Sequence, residues 1–183
     1  IPIGSDLERH FVELRKMASG IHLIGEISDR LRARVMATGE LMATRIGAAY
    51  LASEGLDVQW LDARTILHAE ERSGATVRAN YLSATCNFEP DPALQQRLST
   101  GGNVLLTQGF IASDSKGETV LLGRGGSDTS GSYLAAKLHA RRLEIWTDVP
   151  GMFTANPRGV PNARLLKSLD YDEAQEIASS GAK

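Results

Sequence analysis

Six consecutive residues, Gly123-Arg124-Gly125-Gly126-Ser127-Asp128, bring glycines together with a guanidinium and a carboxylate. They lie between an apolar, strand-like run and a helix-like run. This placement predicts backbone amides bared at a helix N-terminus, where unpaired N–H donors and about half a positive charge attract anions. Arg124 adds a planar fork able to hold a carboxylate or a phosphate through two parallel hydrogen bonds. The competing reading is a tight turn capped by Ser127 or Asp128. The spacing fits neither a Gly-Lys-Ser/Thr phosphate loop nor the Gly-x-Gly-x-x-Gly dinucleotide fingerprint.

A second cluster runs from Trp146 to Arg158, where an apolar stretch enters a loop bearing Pro150, Gly151, Phe153, Pro157 and Arg158. Thr147 and Asp148 offer bonds to a ribose or base, Phe153 a face for a ring, and Arg158 a fork for phosphates. Taken singly, each has a plainer role: a turn aspartate, a core phenylalanine, a surface arginine. Glu40 follows Thr38-Gly39 at what reads as the start of a helix, where a carboxylate would complement the helix dipole. Lys183, after Gly181-Ala182, reads alone as a solvated lysine.

Several elements must position these groups. Ser5 and Glu8 form a capping-box pattern, and Leu7, Phe11, Leu14, Met17 and Ile21 recur at helical spacing. A second helix is expected after Ser28 and a third over 38–53, ending at Gly55. Val58–Leu61 reads as a short strand, while 64–92 has weak periodicity and carries no assignment. Strands are expected from Val104 and over 119–122, with a turn at Ser115-Lys116-Gly117. A helix over 129–139 and a strand over 143–147 complete a strand, glycine loop, helix, strand rhythm. Asp170 with Glu173 caps a last helix through about Ser180. Such alternation favours a parallel sheet covered by helices, with ligands at the carboxyl ends of its strands.

Composition excludes other classes. The 183 residues carry a net charge of −2, with no basic block for a nucleic-acid groove. One cysteine, Cys86, cannot form an internal disulfide, and four scattered histidines make no metal cluster. Apolar runs fall far short of the ~20 residues of a membrane helix. Small-molecule ligands, no membrane and a cytoplasmic location are therefore expected.

Five segments in this order resemble the aspartokinase branch of the amino-acid kinase family: 38–44 (Thr-Gly-Glu-Leu-Met-Ala-Thr), 106–111 (Leu-Thr-Gln-Gly-Phe-Ile), 122–130, 145–158, and Gly181-Ala182-Lys183. The resemblance implies a three-layer α/β/α sandwich with a mainly parallel central sheet, and one catalytic domain over 1–183. The implied reaction moves the γ-phosphoryl of ATP to the side-chain carboxylate of L-aspartate, the first step towards lysine, threonine and methionine. It places the substrate ammonium on Glu40 and its free carboxylate on Arg124, with Phe110, Gly125, Gly126 and Ser127 lining that subsite. Asp128 and Lys183 become the catalytic pair. Thr147, Asp148, Phe153, Arg158 and Lys183 become the nucleotide side, and Mg2+ enters with ATP on phosphates and water. A homo-oligomer is also implied, with ACT regulatory domains or a fused second enzyme.

The chain departs from the family pattern in two respects. It has no Lys-Phe-Gly-Gly-Thr-Ser segment, the family's first strand and main phosphoryl cation, so an inactive, poorly soluble fragment is expected. Asn156 stands where the family has Asp before Pro157. The alternatives are a nucleotide or amino-acid binding piece without turnover, and a kinase for a different acid.

Overall fold

The computed structural model describes residues 3–99 and 103–179. It divides into two compact units, Ile1–Leu143 and Glu144–Lys183. The first unit begins with two long helices, α1 (Ile3–Ile24) and α2 (Asp29–Ser53). Ser5 lies inside α1 and so does not cap it. The buried residue of α1 is Asp6 rather than its apolar stripe, and Phe11 stays 45% exposed. Asp6 is drawn in by charge: Arg9 pairs with it, and Arg45 Nε of α2 lies 2.9 Å from its Oδ2. The Arg45 guanidinium in turn lies 3.4 Å over the Trp60 ring.

The two helices expected after Ser28 are one. Ser28 Oγ accepts from the Leu31 amide as N-cap, and α2 continues unbroken through Thr38-Gly39. Thr38 causes no break because its hydroxyl bonds back to the Arg34 carbonyl at 2.9 Å, inside the helix. Strand β1 (Val58–Trp60) pairs in parallel with β2 (Val104–Leu106), Val58 opposite Val104. The unassigned segment contains a 3-10 turn (Ala63–Thr65) and two short helices, α3 (Val77–Leu82) and α4 (Pro92–Ser99). Their start signals are single side chains: Thr76 Oγ1 accepts from the Ala79 amide, and Asp91 Oδ1 from that of Leu94.

Strands β3 (Ile111–Ser113) and β4 (Thr119–Leu121) form an antiparallel hairpin around the expected turn, with Ile111 opposite Leu121 and Ala112 opposite Val120. Strand alternation then distributes the core. Ile111 and Leu121 meet Ala33, Ala37 and Leu41 of α2, whereas Ala112, Val120 and Leu122 join Leu94 of α4 and Tyr133 of α5 (Gly126–Lys137). Helix, hairpin and helix therefore stack as three layers. A parallel bridge from His68 to Ser113 borders the hairpin, and Ser113 is itself buried, its hydroxyl donating to the Arg64 carbonyl.

Residues 143–147, where a strand was expected, form no strand ladder, and Trp146 is 89% exposed. An apolar run supplies β propensity, but a ladder also needs a neighbouring strand. Phe153 bridges Leu165 in antiparallel fashion, and Thr154 donates to the Arg164 carbonyl at 2.9 Å. Helix α6 (Tyr171–Ser179) carries the expected capping box: Glu173 N–H donates to Asp170 Oδ1 at 2.8 Å and Asp170 N–H to Glu173 Oε2 at 3.2 Å.

Candidate active site

The glycine loop turns into α5 through two left-handed residues, Gly123 (φ 78°) and Gly125 (φ 71°), and Gly125 is the N-cap. A Cβ at either position would be strained, which explains the glycines on backbone grounds alone. No side chain caps the helix, so the reading of a turn capped by Ser127 or Asp128 does not hold. Arg124, Gly125, Ser127 and Asp128 are exposed, and Gly126 is buried. Arg124 and Asp128 have no ion-pair partner among the described residues. An anion arriving at this helix start meets amides that no side chain caps, although that of Gly126 already donates to the Gly123 carbonyl at 3.1 Å, and a guanidinium with no ion-pair partner among the described residues.

The loop is held against the segment Gly109-Phe110. A Cβ on Gly109 would lie 2.8 Å from the Ser127 Cα, and one on Gly126 2.7 Å from the Phe110 ring, so both glycines are required by close approach. Phe110 adopts φ 71°, a costly conformation for a bulky residue. Its amide donates to Ser130 Oγ at 2.8 Å, and its carbonyl accepts from Leu122 N–H at 2.9 Å. Ser130, buried in α5, passes its own proton to the Gly126 carbonyl at 2.7 Å.

Glu40 lies in the middle of α2, so the helix-start explanation for its charge is lost. It is half-buried and has no ion-pair partner among the described residues. One turn further on, about 6 Å away, is Thr44. Thr44 Oγ1 accepts from Gln108 Nε2 at 2.7 Å and from Trp60 Nε1 at 3.0 Å. Gln108, 1% exposed, also accepts from the Ala63 amide at 2.8 Å through Oε1. Sequence reasoning passed over Gln108, Thr44 and Ser130. The four-residue interval from Glu40 to Thr44 was the available signal.

Near the end of β1, Asp62 and Arg64 form an ion pair at 2.6 Å. Burial pushes the Asp62 carboxyl up, but the hydrogen bonds and charge of Arg64 outweigh it and hold the group below the usual aspartate range. Burial also pushes the Cys86 thiol up to about 11, against a smaller opposing effect of Lys137. A pocket of about 240 Å³ between α1 and α2 is lined by His10, Glu13, Arg34 and Arg64, and contains no residue of the glycine loop.

The residues expected on the nucleotide side, Lys183 apart, lie among the described residues of the second unit. Thr147 Oγ1 donates to Asp148 Oδ1 at 3.2 Å and both are exposed; Arg158 is exposed and Phe153 half-buried in its bridge. Asn156 Oδ1 accepts from the Arg158 amide at 3.0 Å, a task an aspartate oxygen would perform equally. Lys183, with Gly181-Ala182, lies outside the described residues. Among the described residues no group of three or more His, Cys, Asp or Glu could hold a metal ion. No helix among them is long and apolar enough to cross a membrane.

With this geometry in view, comparisons with known proteins are specific. The chain is 39% identical over 178 residues to a bifunctional aspartokinase/homoserine dehydrogenase of Buchnera aphidicola subsp. Acyrthosiphon pisum, covering 97% of this chain and 21% of that protein. It is 37% identical to lysine-sensitive aspartokinase 3 of Escherichia coli K12, covering 93% of this chain and 38% of that protein. Among solved structures, E. coli aspartokinase III in complex with aspartate and ADP (R-state) superposes with a TM-score of 0.81 at 34% identity, covering 99% of this chain and 39% of the other. The chain thus spans a fifth to two fifths of the length of these relatives. A family model described as the amino acid kinase family matches residues 5–183, and this chain belongs to that family.

Proposed function

We infer that the chain is the catalytic portion of an aspartate kinase, which transfers the γ-phosphoryl group of ATP to the side-chain carboxylate of L-aspartate. The observation carrying this is the glycine loop, locked against Phe110, with Arg124 exposed and without an ion-pair partner among the described residues, beside a helix start that no side chain caps. The likeness to a structure holding aspartate and ADP supports the same ligands here.

The substrate carboxylate, with an ordinary pKa of about 3.9, is ionised at neutral pH and needs no base. One of its oxygens attacks the γ-phosphorus, the bond from that phosphorus to the ADP oxygen breaks, and ADP leaves with the electron pair. The protein's task is to hold two anions in line and to offset their charge. Arg124 and the amides of Gly125 and Ser127 take the α-carboxylate, Glu40 takes the ammonium, and Gly126 with the Phe110 ring against it shapes the floor. Asp128, in the first turn of α5, orients a lysine or the substrate ammonium and removes no proton. On the nucleotide side Thr147 and Asp148 face ribose or base, Phe153 the ring, and Arg158 with Lys183 the phosphates. The described residues provide no metal cage. ATP is taken as its magnesium complex, in which phosphates and water would surround the ion.

The whole protein is proposed to be a cytoplasmic homo-oligomer. The fused homoserine dehydrogenase of one relative makes a second enzyme a candidate neighbour. ADP release should require both L-aspartate and magnesium-ATP. Turnover independent of aspartate would refute the assignment, and turnover with glutamate in its place would favour a kinase for a different acid.

A further inference from the structure

The groups proposed to read the amino acid sit on separate elements, Glu40 on α2 and Arg124 on the glycine loop. A buried polar connection joins them. From α2, Thr44 Oγ1 receives Gln108 Nε2 at 2.7 Å, and Gln108 is fixed at its other end by the Ala63 amide at 2.8 Å. Two residues on, the Phe110 amide donates to Ser130 Oγ at 2.8 Å, and Ser130 donates to the Gly126 carbonyl at 2.7 Å. Gln108 and Ser130 are 1% and 2% exposed, so water does not compete for these bonds. The intervening Gly109 allows no slack, because any Cβ there would meet the Ser127 backbone.

The strain at Phe110 supports this reading. A phenylalanine at φ 71° persists only where its surroundings over-determine it, and here its amide, its carbonyl and its ring are all engaged. Plain packing against the hairpin does not require a left-handed Phe110. Bringing its ring onto Gly126 while its amide reaches Ser130 does.

We propose that Thr44, Gln108 and Ser130 are positioning residues that set the separation between Glu40 and Arg124 and thereby how well the site grips the ammonium and carboxylate carried on the amino acid's α-carbon. This rests on the reading of Glu40 and Arg124 as the ammonium and carboxylate holders. It assigns to three residues that touch no substrate a share in recognising the α-amino-acid head group. Loosening either end lets the two holders drift, and misplacement on the ångström scale costs up to a hundredfold.

The test uses the whole protein with Thr44→Val, nearly isosteric, which releases the α2 end, and Ser130→Ala, which releases the loop end. The expected result is a rise of roughly tenfold or more in KM for aspartate, with KM for ATP changed less than twofold. Preference for aspartate over succinate, which lacks the ammonium, should narrow in both variants, and Ser130→Thr should restore it. Equal rises in both KM values, tracking a loss of thermal stability, would reduce the residues to general packing and overturn the inference. Unchanged aspartate KM and selectivity would overturn it equally. Should either variant fail to fold, calorimetric titration of the other with aspartate and succinate still decides. If the unaltered protein binds no aspartate, the site reading itself fails, and this inference with it.

Discussion

At the residue scale, the guanidinium of Arg124 carries the account. It is exposed, has no ion-pair partner among the described residues, and stands next to amides that no side chain caps. Arg124→Ala is expected to lower kcat/KM for aspartate by about a hundredfold or more, as loss of one partner in a charged hydrogen-bonded pair does. Arg124→Lys should recover little, since an ammonium lacks the two-pronged geometry; steady-state kinetics on both variants checks this. Cys86 provides a pH test. Its thiol titrates near 11 in the folded protein against an ordinary 9.0, so the folded state holds its proton where the unfolded chain has lost it. Stability should therefore decline as pH rises from about 9 to about 11. Cys86→Ser should remove that part of the decline in denaturant titrations. Asp62 acts in the opposite direction: its lowered carboxyl contributes stability above the ordinary 3.8 that is lost as pH falls through the folded value.

At the element scale, the hairpin β3–β4 separates two helical layers, and its alternation decides which layer each residue feeds. Ile111 is fully buried against α2, so Ile111→Ala should cost about 2–5 kcal/mol in urea unfolding. Gly109→Ala should act differently. Its Cβ would strike the Ser127 backbone, so aspartate turnover should fall further than stability does. Comparing the two variants separates the hairpin's packing role from its positioning role.

The elements also mark how far the sequence can be read. The glycine loop, the hairpin turn and the Asp170–Glu173 capping box were legible because each depends on residues within a few positions of one another. Short α3 and α4 were not, because each rests on one capping side chain and has too few turns to show a period. The join of two expected helices into α2 escaped because Thr38-Gly39 resembles a helix start, and only the Thr38 back-bond reveals a helix interior. The strand expected at 143–147 reflected an apolar run whose pairing is set elsewhere. Within the site, Arg124 and the glycines stood out by type. Gln108 and Ser130 did not, because their importance comes from contacts across 64 and 20 positions.

At the scale of the whole molecule, the chain comprises two units, and the proposed amino-acid and nucleotide groups fall one on each. The stretch after Leu143 exposes Ile145 and Trp146. Limited digestion with chymotrypsin should cut there early, and magnesium-ATP should slow the cut if Thr147 and Asp148 take the nucleotide; an unchanged rate would argue against that placement. The central claim is tested most directly by trapping the product. An acyl phosphate reacts with hydroxylamine to give a coloured hydroxamate. The whole protein, given magnesium-ATP, sub-saturating L-aspartate and hydroxylamine, should form aspartyl hydroxamate in step with ADP, and Arg124→Ala should lower both about a hundredfold or more. Release of ADP without hydroxamate, or full hydroxamate formation by Arg124→Ala, would contradict the account.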